Sequence, residues 1–170
     1  LDFGKICCPS VNISMNKCED YSGIYFNPST DSSSVTCSLL YSSFADNNAT
    51  GHTCIYFNYY GLQSEMKCCN ILRNTQVNLV SYGTIWTNGN LTIADSCILE
   101  NKANYIFYTY YSYTITLSNC TVDSTNHSGR FTIQSTVTKH FILELNHMST
   151  RNCHAEYDSA ITPTAIPYVS

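Results

Sequence analysis

The chain contains 170 residues, a length that suits one domain with a substantial core. Charged residues make up only 12% of it, against roughly 25% in an average soluble domain, so Ser, Thr, Asn and Tyr must supply most of the polar surface. The formal net charge is -4, with no basic run and no stretch of ~20 apolar residues, so we predict neither nucleic-acid binding nor a membrane span.

The first 22 residues form a cysteine-rich segment. Leu1-Asp2-Phe3-Gly4-Lys5 lacks the basic start and apolar stretch of a signal peptide, as in a processed mature chain or a fragment. Cys7, Cys8 and Cys18 follow. Because an open end of a β-fold has unpaired strand edges, we predict that residues 1–22 are an N-terminal cap or first coil held by these cysteines.

Cysteines and N-glycosylation sequons are spread along the whole chain. The cysteines are even in number and none forms a C-x-x-C pair, which favours disulfides over zinc. Together with five sequons they predict a secreted or cell-surface glycoprotein; the alternative is a cytosolic protein with buried free thiols. The predicted disulfide cysteines are Cys7, Cys8, Cys18, Cys37, Cys54, Cys68, Cys69, Cys97, Cys120 and Cys153. The predicted glycosylation sites are Asn12, Asn48, Asn90, Asn119 and Asn126.

A short motif recurs from residue 13 onwards: a large apolar residue, two variable residues, then Asn. Its clear copies are Ile13-Ser14-Met15-Asn16, Phe44-Ala45-Asp46-Asn47, Ile71-Leu72-Arg73-Asn74 and Ile98-Leu99-Glu100-Asn101. The apolar positions 44, 71, 98, 122 and 148 are separated by 27, 27, 24 and 26 residues. This spacing is close to one fixed period, as in proteins built from stacked repeats.

Each period holds about three short β-rich runs separated by turn residues. Five or six such periods over residues 23–158 predict an all-β protein, a right-handed parallel β-helix in which every strand pairs with strands of the neighbouring coils. The rival fold is an antiparallel β-sandwich, favoured by the hairpin pattern in Trp86-Thr87-Asn88-Gly89-Asn90-Leu91.

The repeated asparagines are predicted to be structural. Asn16, Asn47, Asn74 and Asn101 occupy the same place in successive coils, where their amides can form a ladder and their backbone can take a left-handed turn. Cys69, Cys97 and Cys120 recur just before the apolar position of the motif. We predict that they lie about one coil apart, a spacing compatible with disulfides between coils.

Phe44-Ala45-Asp46-Asn47, followed by Gly51-His52-Thr53-Cys54-Ile55, resembles the Phe-x-x-Asn and Gly-Gly-Ala-Ile repeats of the polymorphic outer-membrane protein family. The chain is also similar to cysteine-rich protist surface proteins with β-helix repeats, and its sequons favour this eukaryotic version. The resemblance implies a β-helix at the cell surface with an adhesive role, and it brings no catalytic residues.

No pattern for catalysis or metal binding stands out. The acidic residues form no repeated column that could act on a sugar, and no serine lies in a Gly-x-Ser-x-Gly elbow. His140, His147 and His154 are spaced by seven residues, which brings no ligands together on a strand. We therefore predict a protein that is not an enzyme and has neither metal nor cofactor.

The last twelve residues, 159–170, carry no charge and contain two prolines, as in an extended tail or edge strand. We predict that Ile161, Ile166, Tyr168 and Val169 dock on a neighbouring copy, which favours a self-assembling subunit of a glycosylated filament or coat. The alternative function is a monomeric adhesin or glycan-binding ectodomain. Its tyrosines, Tyr59-Tyr60 and Tyr108 to Tyr113, would stack on sugar rings or lie half-buried in strands.

Overall fold

The computed structural model describes residues 5–27, 36–51, 54–60, 63–77 and 82–138. These residues form nineteen short strands and no helix, so none of them builds a helix able to cross a membrane. The strands are distributed over four parallel sheets, and the chain visits the sheets in turn before it returns to the first. This is the arrangement of stacked coils.

Sheets A and B are the first two sides of each coil. Sheet A contains β1 (Lys5–Pro9), β5 (Thr36–Leu40), β9 (Gln63–Lys67), β13 (Asn90–Ala94), β16 (Thr114–Ser118) and β19 (Arg130–Ile133). Sheet B contains β2 (Asn12–Ser14), β6 (Ser43–Ala45), β10 (Asn70–Leu72), β14 (Cys97–Leu99) and β17 (Thr121–Val122).

Sheets C and D complete the coil. Sheet C contains β3 (Lys17–Cys18), β7 (Asn48–Ala49) and β11 (Thr75–Gln76). Sheet D contains β4 (Ile24–Phe26), β8 (Ile55–Phe57), β12 (Gly83–Thr87), β15 (Tyr105–Thr109) and β18 (His127–Ser128).

The predicted parallel β-helix is confirmed as an all-β solenoid, and two details of the prediction change. The described residues make about four turns, not five or six. The first three coils contain four strands each, not three. The prediction missed the strands of sheet C because two residues are too few to show an alternating pattern in the sequence. Residues 5–18 of the predicted cap supply the first strands of sheets A, B and C, so they belong to the first coil.

The antiparallel sandwich is wrong. Asn88-Gly89 does not join two antiparallel partners; it turns the chain from β12 in sheet D to β13 in sheet A. The Thr87 hydroxyl accepts a hydrogen bond from the Gly89 amide and donates one to the Gly89 carbonyl, each at 3.0 Å. This local closure forms a two-residue corner of the solenoid.

Single residues with positive φ turn the chain at two corners of the coil. Those after sheet A are Ser10, Tyr41, Cys68, Asp95 and Asn119, and those after sheet B are Met15, Asp46, Arg73 and Glu100. All have φ between 49° and 58°, the left-handed region that non-glycine residues rarely enter. The prediction that the ladder asparagines take the left-handed turn is wrong: the residue before each asparagine does.

The interior is filled by apolar side chains that stack in register. In sheet B, Ile13, Phe44, Ile71 and Ile98 pair directly from coil to coil, and the last three are fully buried. Sheets A and D contribute similar columns, because one residue in two along a strand points inward. One coil could not bury these side chains alone, so the stack is the folding unit.

The asparagine ladder is present at the corner between sheets B and C. The backbone amide and the Nδ2 of Asn16, Asn47 and Asn74 each donate to the Oδ1 of the next asparagine, at 2.9–3.1 Å. Asn101 ends the series, and its Nδ2 donates to the Ile71 carbonyl at 2.8 Å. The ladder satisfies backbone groups that the sharp corner removes from the sheets.

Candidate functional site

Sheet D carries a column of aromatic side chains, with one ring from each of four successive coils. Tyr25, Tyr56, Trp86 and Tyr108 pair residue by residue in β4, β8, β12 and β15. Their neighbours in sequence, such as Ile24, Ile55 and Ile85, belong to the core. Because alternate residues of a strand point to opposite faces, the four rings lie together on the outer face of the sheet.

The rings pack against one another along the solenoid. The centroids of Tyr56 and Trp86 lie 3.8 Å apart with an interplanar angle of 12°, and those of Tyr25 and Tyr56 lie 5.2 Å apart. Tyr82 stacks on Trp86 at 4.2 Å, and Tyr21 stacks on Tyr25 at 4.8 Å. Contacts between neighbouring rings add about 0.5–1.5 kcal/mol each beyond the area they bury, so this stack ties the coils together.

Two asparagines form a polar row beside the rings. Asn58 Nδ2 donates to the Tyr25 hydroxyl at 2.7 Å, and the Tyr56 hydroxyl donates to Asn58 Oδ1 at 2.7 Å. Asn88 Nδ2 donates to the Tyr56 hydroxyl and to Asn58 Oδ1, both at 2.8 Å. Burial raises the pKa of Tyr56, which remains a neutral hydroxyl at physiological pH. The row is a fixed set of amide and hydroxyl groups.

Two polar atoms of this face have no partner. Trp86 Nε1 and Asn88 Oδ1 are buried and make no hydrogen bond within the described residues, although the two side chains are only 8% and 3% exposed. Buried polar atoms are paired in the great majority of cases, so an unpaired donor and acceptor two residues apart on one face are unusual. Both atoms are shielded from solvent, so a ligand hydroxyl would reach them only after a neighbouring side chain moved.

Exposed tyrosines extend the face at the corner between sheets D and A. Tyr60, Tyr110 and Tyr111 have exposed fractions of 57%, 37% and 71%. The centroids of Tyr60 and Tyr111 are 6.1 Å apart, and those of Tyr110 and Tyr111 are 4.4 Å apart. We use "tyrosine patch" for these three residues. Their ring faces are the ones still open to solvent.

The predicted sugar-stacking tyrosines therefore divide into two groups. Tyr60, Tyr110 and Tyr111 form the exposed patch, whereas Tyr59 packs against the core and Tyr108 belongs to the stack. The sequence analysis missed the ring stack built from Tyr25, Tyr56 and Trp86. An alignment of Ile24-Tyr25-Phe26, Ile55-Tyr56-Phe57 and Ile85-Trp86-Thr87 by coil would have shown it.

A groove on the outer face of sheet A offers fewer groups for binding or catalysis. Its volume is about 440 Å³, and its outward-facing lining consists of Thr36, Ser38, Gln63, Glu65 and Thr92. Glu65 is the one carboxylate among these, so the paired acids of a glycoside hydrolase are not formed there. Among the described residues, no three His, Cys, Asp or Glu side chains converge as metal ligands.

The cysteines play several parts. Cys97 is disulfide-bonded, and the other eight described cysteines form no disulfide with one another within the described residues; Cys153 lies outside them. Cys69 and Cys120 lie two coils apart with Ser96 between them, and Cys97 lies one residue further along, beside Asn70 and Thr121. Cys97 forms a disulfide, as predicted. A disulfide between Cys69 and Cys120 is wrong, because two coils exceed the ~7 Å limit between bridged Cα atoms. For Cys7, Cys8, Cys18, Cys37, Cys54 and Cys68, disulfides stay a prediction.

Cys69 and Cys120 belong to a second ladder that the sequence analysis missed. At the corner between sheets A and B, the Val11 amide donates to the Ser42 hydroxyl and the Cys69 amide donates to the Ser96 hydroxyl, at 3.2 and 3.0 Å. The thiol of Cys69 donates to the Leu39 carbonyl at 3.4 Å. Burial raises the pKa of the Cys69 and Cys54 thiols to about 12, so both are protonated and poorly reactive.

Most sequon asparagines lie on the surface. Asn12, Asn90, Asn119 and Asn126 are exposed, whereas Asn48 is half-buried and its Oδ1 is buried without a partner. Asn119 Nδ2 donates to Asp95, and Asn126 Nδ2 donates to the Asn104 carbonyl at 2.6 Å. None of the five lies in β4, β8, β12 or β15, so the strands that carry the ring stack contain no glycosylation site.

Comparison with protein families, with curated proteins and with solved structures gives no match to this chain. The resemblance to the polymorphic outer-membrane protein family stays a prediction. The proposed assembly tail, Ile161, Ile166, Tyr168 and Val169, lies outside the described residues, as do the three histidines of its preceding segment.

Proposed function

We propose that this protein is an extracellular, non-catalytic glycoprotein that binds glycans on the outer face of sheet D. The observation that carries the proposal is the patch of exposed tyrosines, Tyr60, Tyr110 and Tyr111, at the end of the face that holds the polar row of Asn58 and Asn88. Of the two functional classes that the sequence suggested, this one uses side chains that the structure describes.

The chemistry of this face matches that of a sugar. A pyranose combines hydroxyl groups with an apolar ring face, and it needs polar partners together with an aromatic ring. Tyr60 and Tyr111 supply exposed rings and hydroxyl groups, and the Asn58 and Asn88 amides supply further polar groups. The low charge of the chain favours a neutral glycan over a sulfated or phosphorylated one.

In this proposal the stacked rings stabilise the face, whereas the exposed rings contact the ligand. Tyr56 and Trp86 cover each other's faces, so a ligand would meet their edges and polar atoms. Tyr60 and Tyr111 are more than half exposed and are free to stack on a sugar. A test of binding should therefore change the tyrosine patch first, because truncation there leaves the stack intact.

The double variant Tyr60→Ala, Tyr111→Ala is expected to weaken glycan binding at least tenfold, because two aromatic contacts of about 1 kcal/mol each are lost. The measurement is a glycan array with the unmodified chain, followed by titration calorimetry with the best ligand. Val77→Ala, which removes an exposed apolar side chain after β11, is the matched control and should bind normally. Equal binding by the double variant, or no glycan bound by the unmodified chain, would contradict the proposal.

End-to-end self-assembly is the second candidate function, and one observation favours it. Ile6, Cys8, Ile13 and Ile24 of the first described coil are half-buried, whereas their neighbours in the second coil, Leu39, Phe44 and Ile55, are fully buried. A second copy stacked on this coil would complete the core and pair the edge strands, and a head-to-tail contact of this kind extends into a filament.

Electron microscopy of unreduced protein tests the assembly. About four stacked coils at ~4.8 Å each predict fibres with an axial repeat of about 2 nm or a small multiple of it. Deletion of residues 159–170 should abolish such fibres if the tail is the connector. Discrete particles at high protein concentration would exclude the filament and leave glycan binding as the proposed function.

A further inference from the structure

Asn90 follows a two-residue corner between sheets D and A. Only Asn88-Gly89 separates β12 from β13, whereas five residues lie between the ends of β8 and β9 and four between those of β15 and β16. Tyr60 comes from one of these longer corners and Tyr111 from the other, and their ring centroids are 6.1 Å apart. The two rings therefore come from the coils on either side of the coil whose corner precedes Asn90.

The Asn90 side chain is held with its amide nitrogen available. Its Oδ1 accepts a hydrogen bond from the Thr114 amide at 3.0 Å, and its backbone pairs with Gln63. Nδ2 makes no hydrogen bond within the part of the chain that the structure describes, and the residue is exposed. Asn119 and Asn126 differ, because their Nδ2 atoms already donate within the protein.

We propose that Asn90 carries an N-linked glycan whose innermost N-acetylglucosamine packs against Tyr60 and Tyr111. Tyr60 precedes Gln63 by three residues and Tyr111 precedes Thr114 by three, and both Gln63 and Thr114 lie one strand spacing, ~4.8 Å, from Asn90. A sugar attached at Nδ2 thus begins within reach of both rings. The rings offer it the same apolar faces that any other sugar would use.

This inference rests on the proposed function, since it concerns the same tyrosine patch. It assigns the glycan on Asn90 as a ligand of that patch and as a regulator of its binding to other glycans. The glycan on Asn90 would cover the patch and compete with glycans of other molecules for it. The glycosylated chain would be a closed form and the unmodified chain an open one. The attached sugar competes well against free glycans, because its covalent link to Asn90 gives it a high effective concentration at the patch.

The experiment compares full-length chains secreted from eukaryotic cells: wild type, Asn90→Gln, and the matched control Asn12→Gln. Mass spectrometry of intact glycopeptides should show Asn90 occupied. Loss of the glycan in Asn90→Gln should lower the melting temperature by about 2–4 °C, the shift that a contact of this size gives in a domain of this length. In the Tyr60→Ala, Tyr111→Ala background the same change should have no effect.

Glycan binding is the second readout. Asn90→Gln should bind array glycans at least fivefold more tightly than the glycosylated wild type, whereas Asn12→Gln should not. An unoccupied Asn90, or the same melting shift with and without the tyrosines, would overturn the inference. If neither form binds any glycan but the melting shift depends on the tyrosines, the proposed function fails and the contact of the attached glycan stands.

Discussion

Asn74→Ala is expected to lower the free energy of unfolding by about 3–5 kcal/mol, a large share of the 5–15 kcal/mol typical of a domain. Asn74 Oδ1 accepts hydrogen bonds from the backbone and side-chain nitrogens of Asn47, and Asn74 Nδ2 donates to the Phe44 carbonyl at 2.9 Å. Alanine removes these partners from the Asn47 backbone amide and the Phe44 carbonyl, and it leaves Asn47 Nδ2 with the Ile13 carbonyl at 3.0 Å. Each buried group without a partner costs about 1–3 kcal/mol.

Asn16→Ala is the matched control, because it changes the same ladder at its exposed end. The Asn16 side chain makes one hydrogen bond of the ladder, from its Nδ2 to Asn47 Oδ1, and alanine keeps the backbone bond to the same oxygen. Its removal should therefore lower the free energy of unfolding by less than about 1 kcal/mol. Urea unfolding followed by the fluorescence of the single tryptophan, Trp86, measures both variants. Similar losses for Asn16→Ala and Asn74→Ala would mean that the ladder does not support the buried corner.

The ladder shows why the fold could be predicted from the sequence. Its motif is only four residues long and returns at almost constant spacing, so period, parallel pairing and the role of Asn47 and Asn74 follow from local pattern alone. The end of the ladder shows the limit. Val122-Asp123-Ser124-Thr125 has no asparagine, and the Asp123 carboxylate instead accepts a hydrogen bond from the amide of Glu100, the residue before Asn101. Because the motif loses its asparagine in this coil, the number of coils cannot be counted from the motif alone, and the prediction of five or six exceeded the observed number.

Two other features could not be read from the sequence for physical reasons. The left-handed corner residues include Met15, Tyr41 and Arg73, which have no preference for positive φ, so neighbouring coils must impose that conformation. Cys69 and Ser96 are equivalent in the second ladder because a thiol and a hydroxyl fill the same small space. Equivalence of unlike residues is visible only after the coils are aligned in space.

The candidate site was predicted in part. Adjacent tyrosines such as Tyr110-Tyr111 stand out in any sequence, and the structure places them on the surface. Trp86 and Tyr56 did not stand out, since each is a single outward residue in a run of inward-facing apolar ones. Their partnership depends on the register between coils 30 residues apart, which the irregular loops of the chain hide.

Trp86→Ala is expected to destabilise the protein by about 3–5 kcal/mol, the usual range for removal of a buried tryptophan. The indole is stacked between Tyr56 at 3.8 Å and Tyr82 at 4.2 Å, so alanine breaks the stack at its centre. Tyr25→Ala, near the end of the stack, should cost about 1 kcal/mol because its ring is 41% exposed. Thermal unfolding followed by circular dichroism measures both, since Trp86→Ala removes the fluorescent reporter.

Trp86→Phe separates the structural role of the ring from its polar role. Phenylalanine keeps an aromatic ring in the stack and removes an N–H that has no partner inside the protein, so stability should change by less than about 1 kcal/mol. If Nε1 donates to a sugar hydroxyl, glycan affinity should fall about three- to tenfold, as expected for one neutral hydrogen bond. Unchanged affinity in a stable Trp86→Phe protein would make the stack purely structural, and the binding surface would then consist of the tyrosine patch alone.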